Sequence, residues 1–324
     1  MAGQSLKGMI EMTSRCFGFV LSLPVAVALL ACPAPAQTLV REVRSAIAGN
    51  DFPKAEAQIA QYQAAKGVTA EMLEALSWLG RGALAAGQLD RAEAYAARTQ
   101  DLAIEMLKTR SLDADGNLPI ALGAAIEVLA QTAAARGERS TAIGFLNREL
   151  RTYWATSIRT RIQKNINLLT LEGQPAPALE NREWLGPKSV SLSELKGRPV
   201  LLFFWAHWCA DCKAQAPILA RLLREYGPRG LVIVGPTQRY GYTVSGKDAT
   251  PAEELKYIGE VLARSYADLS GMSVPVSEES LKNYGSSTTP TLVLIGRDGI
   301  VRLYHPGRMS YEDLAPKVAA AVGR

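Results

Sequence analysis

The chain has 324 residues, of which 48% are hydrophobic and 21% charged, and its formal net charge at pH 7 is +5. This length accommodates about two domains, and the composition is typical of a folded globular protein rather than a disordered one. The positive charge is mild and contains no run of five or six Lys or Arg residues, so we predict no binding of nucleic acid.

The segment 1–36 has the pattern of an export signal. A positive region ending at Arg15 precedes an apolar run over 17–31, and the small residues 34–36 follow it. Because a membrane-spanning helix needs about 20 apolar residues, we predict cleavage after Ala36 and a periplasmic or otherwise exported protein. Two alternatives stay open: an uncleaved anchor, and a lipoprotein attached to the membrane through Cys32, since the four residues ending there resemble a bacterial lipobox.

The chain contains four cysteines, which are Cys16, Cys32, Cys209 and Cys212. Cleavage of the signal leaves only the last two, so the exported protein would not be a scaffold held together by several disulfides. We interpret the remaining pair as reactive rather than structural.

Residues 37–169 form the first predicted domain, in which apolar residues recur with helical spacing. In 48–56, 86–93 and 135–142 a helix ends at Gly, a polar turn follows, and a small Ala stands near the next helix start. Gly suits the left-handed position after a helix, and Ala permits close packing. The motif resembles half of the tetratricopeptide consensus in degenerate form. It implies an all-α array of helical hairpins that binds a protein partner, or that positions or dimerises the catalytic domain.

Residues 170–178 contain two prolines and two glycines and predict a linker. After it, residues 179–324 alternate between strand and helix patterns, which indicates an α/β domain. Residues 190–195 predict a short strand and a helical turn. Further strands are predicted over 198–205, 231–234, 291–295 and 300–303, and helices over 210–226 with Pro217 inside, 250–267 and 311–322.

The sequence Trp205-Ala-His-Trp-Cys-Ala-Asp-Cys-Lys213 places Cys209 and Cys212 at a predicted helix start. Unpaired N–H groups and the helix dipole favour a thiolate there. We predict that Cys209, the more exposed cysteine, attacks a substrate disulfide and that Cys212 then releases the product. Half of a zinc site is the alternative interpretation, but structural zinc needs four ligands. The exported chain offers only two cysteines and two histidines, and His207 lies too close to the cysteines in the sequence to bind the same zinc ion well. With His305 as the other histidine, we expect no metal and no cofactor.

Residues 171–324 resemble a thioredoxin-fold domain of the TlpA/ResA type, a family of exported bacterial thiol-disulfide oxidoreductases. The resemblance is carried by 204–212, Pro217, 284–291 and 294–299. It implies a cis peptide bond before Pro290 and a Thr289 backbone that is free to pair with an extended substrate. It also implies reduction of client protein disulfides, with electrons from a membrane donor of the DsbD type.

Two positions depart from the family's pattern. Phe203 stands where thioredoxins carry a buried Asp, and Gln215 stands where TlpA/ResA proteins usually carry Glu. We therefore expect no carboxylate base beside Cys212. His207 and Lys213 are candidates for compensation, although His207 is otherwise expected to line the surface. The neighbouring Trp208 is a candidate for substrate binding or for tuning the cysteines.

The main functional prediction is an enzyme that reduces protein disulfides. A disulfide oxidant or isomerase is one alternative hypothesis. Another is an adaptor in which the helical domain binds a client and the redox domain is secondary. A peroxiredoxin is not expected, because Ala206 stands where such an enzyme carries Thr.

Overall fold

A computed structural model describes residues 38–323 of the chain. The predicted export signal, the cleavage site after Ala36 and Cys32 lie outside the described residues.

The first part of the described chain is entirely helical. Thr38, Asp51 and Thr69 cap the first three helices, because each side chain accepts a hydrogen bond from a backbone N–H in the first turn. The helices are α1 (Leu39–Ala48), α2 (Phe52–Lys66), α3 (Ala70–Ala85), α4 (Leu89–Leu107), α5 (Asn117–Ala135), α6 (Arg139–Thr152) and α7 (Arg159–Thr170). The prediction of an all-α region built from helical hairpins is confirmed.

The three repeated motifs form the turns of the hairpins α1–α2, α3–α4 and α5–α6. Gly87 and Gly137 have φ values of 71° and 87°, so both occupy the predicted left-handed position. In the first motif the prediction is wrong by one residue: Gly49 has a φ of −84°, and Asn50 takes the left-handed position with a φ of 56°. Asn tolerates this conformation because its short polar side chain bonds locally. The motif alanines, Ala55, Ala92 and Ala142, are fully buried.

Helix α5 lies in the core of the helical part and contacts α3, α4, α6 and α7. It is long and apolar enough to cross a membrane. However, 56% of its apolar 18-residue stretch is buried inside the protein, as in a core helix. Its partly buried Glu127 contacts Arg161 and Lys164 of α7 at 2.9 and 2.7 Å. Burial raises the pKa of Glu127, but the two cations outweigh burial and lower this pKa to about 2. Charge therefore fixes α7 against the core helix.

The second part contains strands and helices in alternation. Its elements are β1 (Trp184–Leu185), β2 (Val200–Phe204), α8 (Ala210–Tyr226), β3 (Val232–Val234), α9 (Pro251–Ser265), β4 (Val274–Pro275), α10 (Glu278–Asn283), β5 (Thr291–Ile295), β6 (Val301–Pro306) and α11 (Tyr311–Val322). The main sheet has the order β3-β2-β5-β6, in which β2 is parallel to β3 and antiparallel to β5. The predicted α/β thioredoxin-like fold is confirmed.

The short strand predicted within 190–195 is absent, and the first strand of this part lies earlier, at Trp184–Leu185. Instead, Ser191 and Glu194 bond to each other's backbone: the Ser191 N–H donates to Glu194 Oε2 at 2.7 Å, and the Glu194 N–H donates to Ser191 Oγ at 3.3 Å. Such local bonds give the backbone an alternative to a strand ladder, and here they form a turn.

Strand β2 is buried on both faces, which explains its continuous apolar sequence. Leu201 and Phe203 face a cluster formed with α8 and α11, whereas Leu202 and Phe204 face a second cluster that includes Tyr284. The strand therefore fixes the start of the loop that follows Phe204 and leads to the two cysteines.

The predicted linker over 170–178 connects the two parts as an ordered segment. The Gly173 N–H donates to the Val301 carbonyl at 2.9 Å, and the Ala176 N–H donates to the Gly299 carbonyl at 3.0 Å. Leu171 is buried in the second apolar cluster of the sheet. The segment thus continues the packing of the sheet instead of forming a free tether.

Helix α7 contacts α10 and the residues that follow it. Arg159 bonds to Glu279 at 2.7 Å, and the Asn167 amide donates to the Asn283 carbonyl at 3.2 Å. Gly285 has a φ of 62°, and a Cβ built on it would lie 2.5 Å from the Lys164 Cα. Only glycine permits this approach between the two parts of the chain.

Candidate active site

Cys209 is the N-cap residue of α8. Its Sγ accepts a hydrogen bond from the Cys212 N–H at 3.0 Å, so sulfur takes the place of the usual Ser or Asp oxygen. Cys209 and Cys212 form a disulfide, with their Cα atoms 5.3 Å apart. In the reduced protein, the same N–H and the helix dipole would stabilise a Cys209 thiolate.

The two cysteines differ in their access to solvent. Cys209 is 3% exposed, whereas Cys212 is completely buried. Both sulfurs are thus buried, and Cys209 is slightly the more accessible of the two.

The loop that precedes β5 lies beside Cys209. The Thr289–Pro290 peptide bond is cis, as the family resemblance implied. The Thr289 carbonyl oxygen lies 3.4 Å from Cys209 Sγ. The fold thus brings Thr289 and Pro290 next to the reactive pair, although 80 residues separate Thr289 from Cys209.

Trp208 provides apolar surface beside the disulfide. Its side chain is 49% exposed and packs edge-on against Tyr240, with ring centroids 5.6 Å apart. An exposed tryptophan with one edge supported by a second ring offers a rigid contact for an apolar side chain. This placement suits the predicted part of Trp208 in substrate binding.

The expectation that His207 lines the surface is wrong. The residue is only 1% exposed, and its Nε2 lies 3.1 Å from Glu254 Oε1. Burial lowers the pKa of His207, whereas the bond to Glu254 partly opposes this shift and the nearby Lys213 charge adds to it. The imidazole is therefore neutral at pH 7 and donates its Nε2–H to the carboxylate. Three tyrosines surround the ring edge-on, Tyr240, Tyr242 and Tyr257.

Glu254 is a functional candidate that the sequence analysis missed. It is 1% exposed and accepts hydrogen bonds from the N–H groups of Tyr240 and Gly241 at 2.6 and 2.8 Å. The capping box between Thr250 and Glu253 marks the start of α9 and places Glu254 in its first turn. That signal locates the residue on the helix, but its burial depends on the loop that packs over it.

Phe203 and Gln215 supply no carboxylate to the site. Phe203 is fully buried and packs edge-on against Tyr266. Gln215 lies in α8 one turn after Cys212 and is also fully buried. Its Oε1 accepts from the Met309 N–H at 3.0 Å, while its Nε2 has no hydrogen-bond partner among residues 38–323.

The two charged neighbours of the cysteines lie nearer to solvent. Lys213 is half-buried, and its positive charge is one of the causes that lower the pKa of His207. Asp211, between the cysteines, is exposed and forms a 3.5 Å ion pair with Arg308. Exposed pairs of this kind contribute little free energy. In the part of the chain that the structure describes, no three His, Cys, Asp or Glu side chains group together in a way that could bind a metal.

The sequence is similar to those of known thiol-disulfide proteins. Residues 173–241 match the AhpC/TSA family. Thioredoxin-like protein YneN of Bacillus subtilis (strain 168) is 28% identical over 150 residues, which cover 45% of this chain and 78% of YneN. A solved structure of a putative thiol:disulfide interchange protein DsbE from Chlorobium tepidum is 28% identical, covers 47% of this chain and 98% of its own, and has a TM-score of 0.36.

The thiol-disulfide oxidoreductase ResA of Bacillus subtilis (strain 168) is 30% identical over 143 residues, which cover 43% of this chain and 69% of ResA. The chain belongs to the ResA family. It is therefore a thiol-disulfide oxidoreductase with a thioredoxin fold, and the predicted membership of the TlpA/ResA type is confirmed. This chain spans 65% of the length of ResA of Bacillus thuringiensis (strain Al Hakam) and 38% of that of ResA of Oceanobacillus iheyensis.

Within this ResA-family protein, the chemistry available is the transfer of two electrons between a dithiol and a disulfide. The Cys209–Cys212 disulfide is the oxidised form of the pair. The start of α8 would favour a thiolate on Cys209 after reduction, and the exposed Trp208 and the Thr289 carbonyl lie beside this cysteine.

Proposed function

We propose that this ResA-family protein is an exported reductase of client-protein disulfides. Cys209 is the nucleophile and Cys212 is the resolving cysteine. The observation that carries the proposal is the position of Cys209 Sγ, which accepts the Cys212 N–H at 3.0 Å at the start of α8 and lies 3.4 Å from the Thr289 carbonyl.

The first step of the reaction is attack by the Cys209 thiolate on one sulfur of a client disulfide. A bond forms between Cys209 and that sulfur, the bond between the two client sulfurs breaks, and one client thiolate leaves and takes a proton. Cys212 then loses its proton and attacks Cys209 Sγ, which releases the second client thiol. The client gains two electrons, and the protein ends with the Cys209–Cys212 disulfide.

The proton of Cys212 has no carboxylate acceptor at the two positions where related proteins carry one. Gln215 is an amide, and Phe203 is apolar. We propose that water accepts this proton, and that the resolving step is consequently slower than in a relative with a carboxylate at either position.

Export of the protein is supported by the signal pattern over 1–36 and by the single cysteine pair that would remain after cleavage. A reductase in an oxidising compartment needs a dedicated source of electrons. We propose a membrane dithiol donor of the DsbD type, which would attack the Cys209–Cys212 disulfide and restore the dithiol.

A trapping experiment tests the roles of the two cysteines. Cys212→Ser removes the resolving thiol, so the mixed disulfide on Cys209 should accumulate and be recovered with its client by mass spectrometry. Cys209→Ser is the matched control and should trap nothing, because it lacks the nucleophile. Equal recovery of clients by both variants would contradict the assigned roles.

The direction of the reaction is tested by the reduction potential of the cysteine pair. We expect a value closer to that of thioredoxin, about −270 mV, than to that of the strong oxidant DsbA, about −120 mV. A value near that of DsbA would show that the protein is a disulfide oxidant and would contradict the proposed direction.

A further inference from the structure

A cavity of about 550 Å³ lies where the helical part meets the α/β part. We call it the interdomain groove. The helical part contributes Trp154, Thr156 and Thr160 to its lining, and the α/β part contributes Gln238 and Ser286.

The charged side chains of the interdomain groove are already paired. Arg159 bonds to Glu279 at 2.7 Å, and Lys282 bonds to Glu278 at 2.8 Å. The rest of the lining is mostly neutral and able to form hydrogen bonds. A charged ligand would therefore meet no free countercharge among these groups, whereas a neutral ligand with donors and acceptors would find partners.

Trp154 gives the groove one apolar surface. It is 52% exposed, and the Arg159 guanidinium lies 3.6 Å from the centre of its ring. This cation–π contact holds the ring in place while leaving it open to solvent. A fixed aromatic ring beside neutral polar groups suits a polypeptide segment that has an apolar side chain and a free backbone.

Ser286 supplies an independent indication of a ligand. The residue is 6% exposed, and its Oγ has no hydrogen-bond partner in the described part of the chain. A buried hydroxyl without a partner is unfavourable, and such groups are rare in folded proteins. The oxygen itself is shielded from solvent, so a bound segment would reach it after a rotation about the Cα–Cβ bond; because Ser286 lines the groove, this rotation would present the hydroxyl to a backbone N–H or carbonyl of that segment.

Two loops contribute residues both to the groove and to the surroundings of Cys209. Ser286 precedes Thr289 by three residues, so their Cα atoms are at most about 11 Å apart at about 3.6 Å per residue. Gln238 precedes Tyr240 by two residues, and Tyr240 packs against Trp208. A chain bound beside the disulfide would therefore need to extend only a few residues to enter the groove.

We infer that the interdomain groove binds an uncharged, extended segment of the client polypeptide next to the client's reacting cysteine. This inference rests on the proposed function, since it assigns the client-binding surface of the same reaction. It places that surface at the junction of the two parts, where α7 and the residues before it contribute directly.

The test compares two disulfide substrates in a steady-state assay with a chemical dithiol as the reductant. One is bis(2-hydroxyethyl) disulfide, which is too small to reach the groove. The other is a dimer of a neutral Gly, Ser, Thr and Leu peptide of about fifteen residues with a central Cys, in which each chain spans roughly 50 Å when extended.

We expect Ser286→Ala and Trp154→Ala each to lower kcat/KM for the peptide disulfide by about 10-fold, mainly through KM, and to leave the small disulfide unchanged. Trp184→Ala is the matched control, because Trp184 is 44% exposed but lies on β1 outside the groove. This variant should reduce both substrates at the wild-type rate.

The two hypotheses fail in different ways. If the wild-type protein reduces neither disulfide, the proposed function is overturned. If it reduces both, and the groove variants also reduce the peptide at the wild-type rate, only the groove assignment is overturned. If the wild-type protein forms a dimer and Trp154→Ala does not, the groove binds a second copy of the chain, and the assignment to a client segment is equally overturned.

The stability of Ser286→Ala provides a separate check. Because the variant removes a hydroxyl without a partner, its thermal unfolding midpoint should equal or exceed that of the wild type. A lower midpoint would mean that the hydroxyl is already bonded within the protein, and the inference would then lose its basis.

Discussion

Glu254 Oε1 lies 3.1 Å from His207 Nε2, and both side chains are buried. His207 precedes Cys209 by two residues in the same loop. The same carboxylate accepts the N–H groups of Tyr240 and Gly241. One buried acid therefore connects the loop before the cysteines to the loop whose Tyr240 supports Trp208.

Replacing this acid should destabilise the protein. In Glu254→Gln an amide NH₂ must face at least one of the three donors that the carboxylate satisfies, so we expect the free energy of unfolding to fall by about 2–4 kcal/mol. Urea denaturation measures the change. Glu253→Gln is the control, since Glu253 is exposed and an amide can still complete the capping box, and it should change stability by less than about 0.5 kcal/mol. Equal effects of the two variants would contradict the role of Glu254.

The buried imidazole predicts a dependence of stability on pH. Because the pKa of His207 is lowered in the folded state, the unfolded chain binds a proton first as the pH falls below about 6.5. Stability from this group is complete above that pH, decreases below it, and levels off under the folded pKa. His207→Gln can still donate to Glu254 but does not titrate, so its unfolding free energy should decrease less between pH 7 and 5. An unchanged slope would show that His207 does not cause the loss.

Gln215→Glu should place a carboxyl in a fully buried position with one N–H donor, that of Met309. Burial would raise the pKa of the new carboxyl, so the variant should lose stability as the pH rises above about 4.5, by roughly 1–3 kcal/mol at pH 7. The same carboxylate could accept the Cys212 proton, and we expect faster release of a preformed mixed disulfide in a stopped-flow assay. Slower or unchanged release would argue that proton transfer does not limit this step.

Gly285→Ala should disturb the contact between α7 and the α/β part. The new Cβ would lie 2.5 Å from the Lys164 Cα, in addition to the strain of a φ of 62°. We expect a loss of more than about 3 kcal/mol of stability by urea denaturation. Gly299→Ala is the control, because Gly299 has a φ of 82° but an open space around its Cβ position. It should lose only about 1–2 kcal/mol, and similar losses in both variants would show that the close approach is unimportant.

Much of the fold could be predicted because local signals mark its elements. The bounds of α8 and α11 agree with prediction, since Cys209 and Ser310 cap their first turns and Gly323 follows the end of α11. The apolar runs of β2 and β5 are long enough to indicate buried strands. Cys209 and Cys212 were identified from their spacing at a predicted helix start, and Pro290 from the family resemblance.

The remaining features depend on contacts between distant residues. The burial of His207 requires α9 and three tyrosines of later segments, and nothing near His207 in the sequence indicates them. Within 190–195, where a short strand was predicted, Ser191 and Glu194 form hydrogen bonds between side chain and backbone, and the segment is a turn. The interdomain groove needs both parts of the chain, so neither part alone predicts it.

The glycine beside α7 limits how such helical arrays and redox domains can be recombined. A redox domain that carries any side chain at the position of Gly285 could not accept α7 at this distance. One without an acid at the position of Glu279 would leave the buried guanidinium of Arg159 without its ion pair. Gene fusions that exchange the two parts would therefore need matched changes on both sides of the junction, whereas substitutions on the far face of the helical array would not.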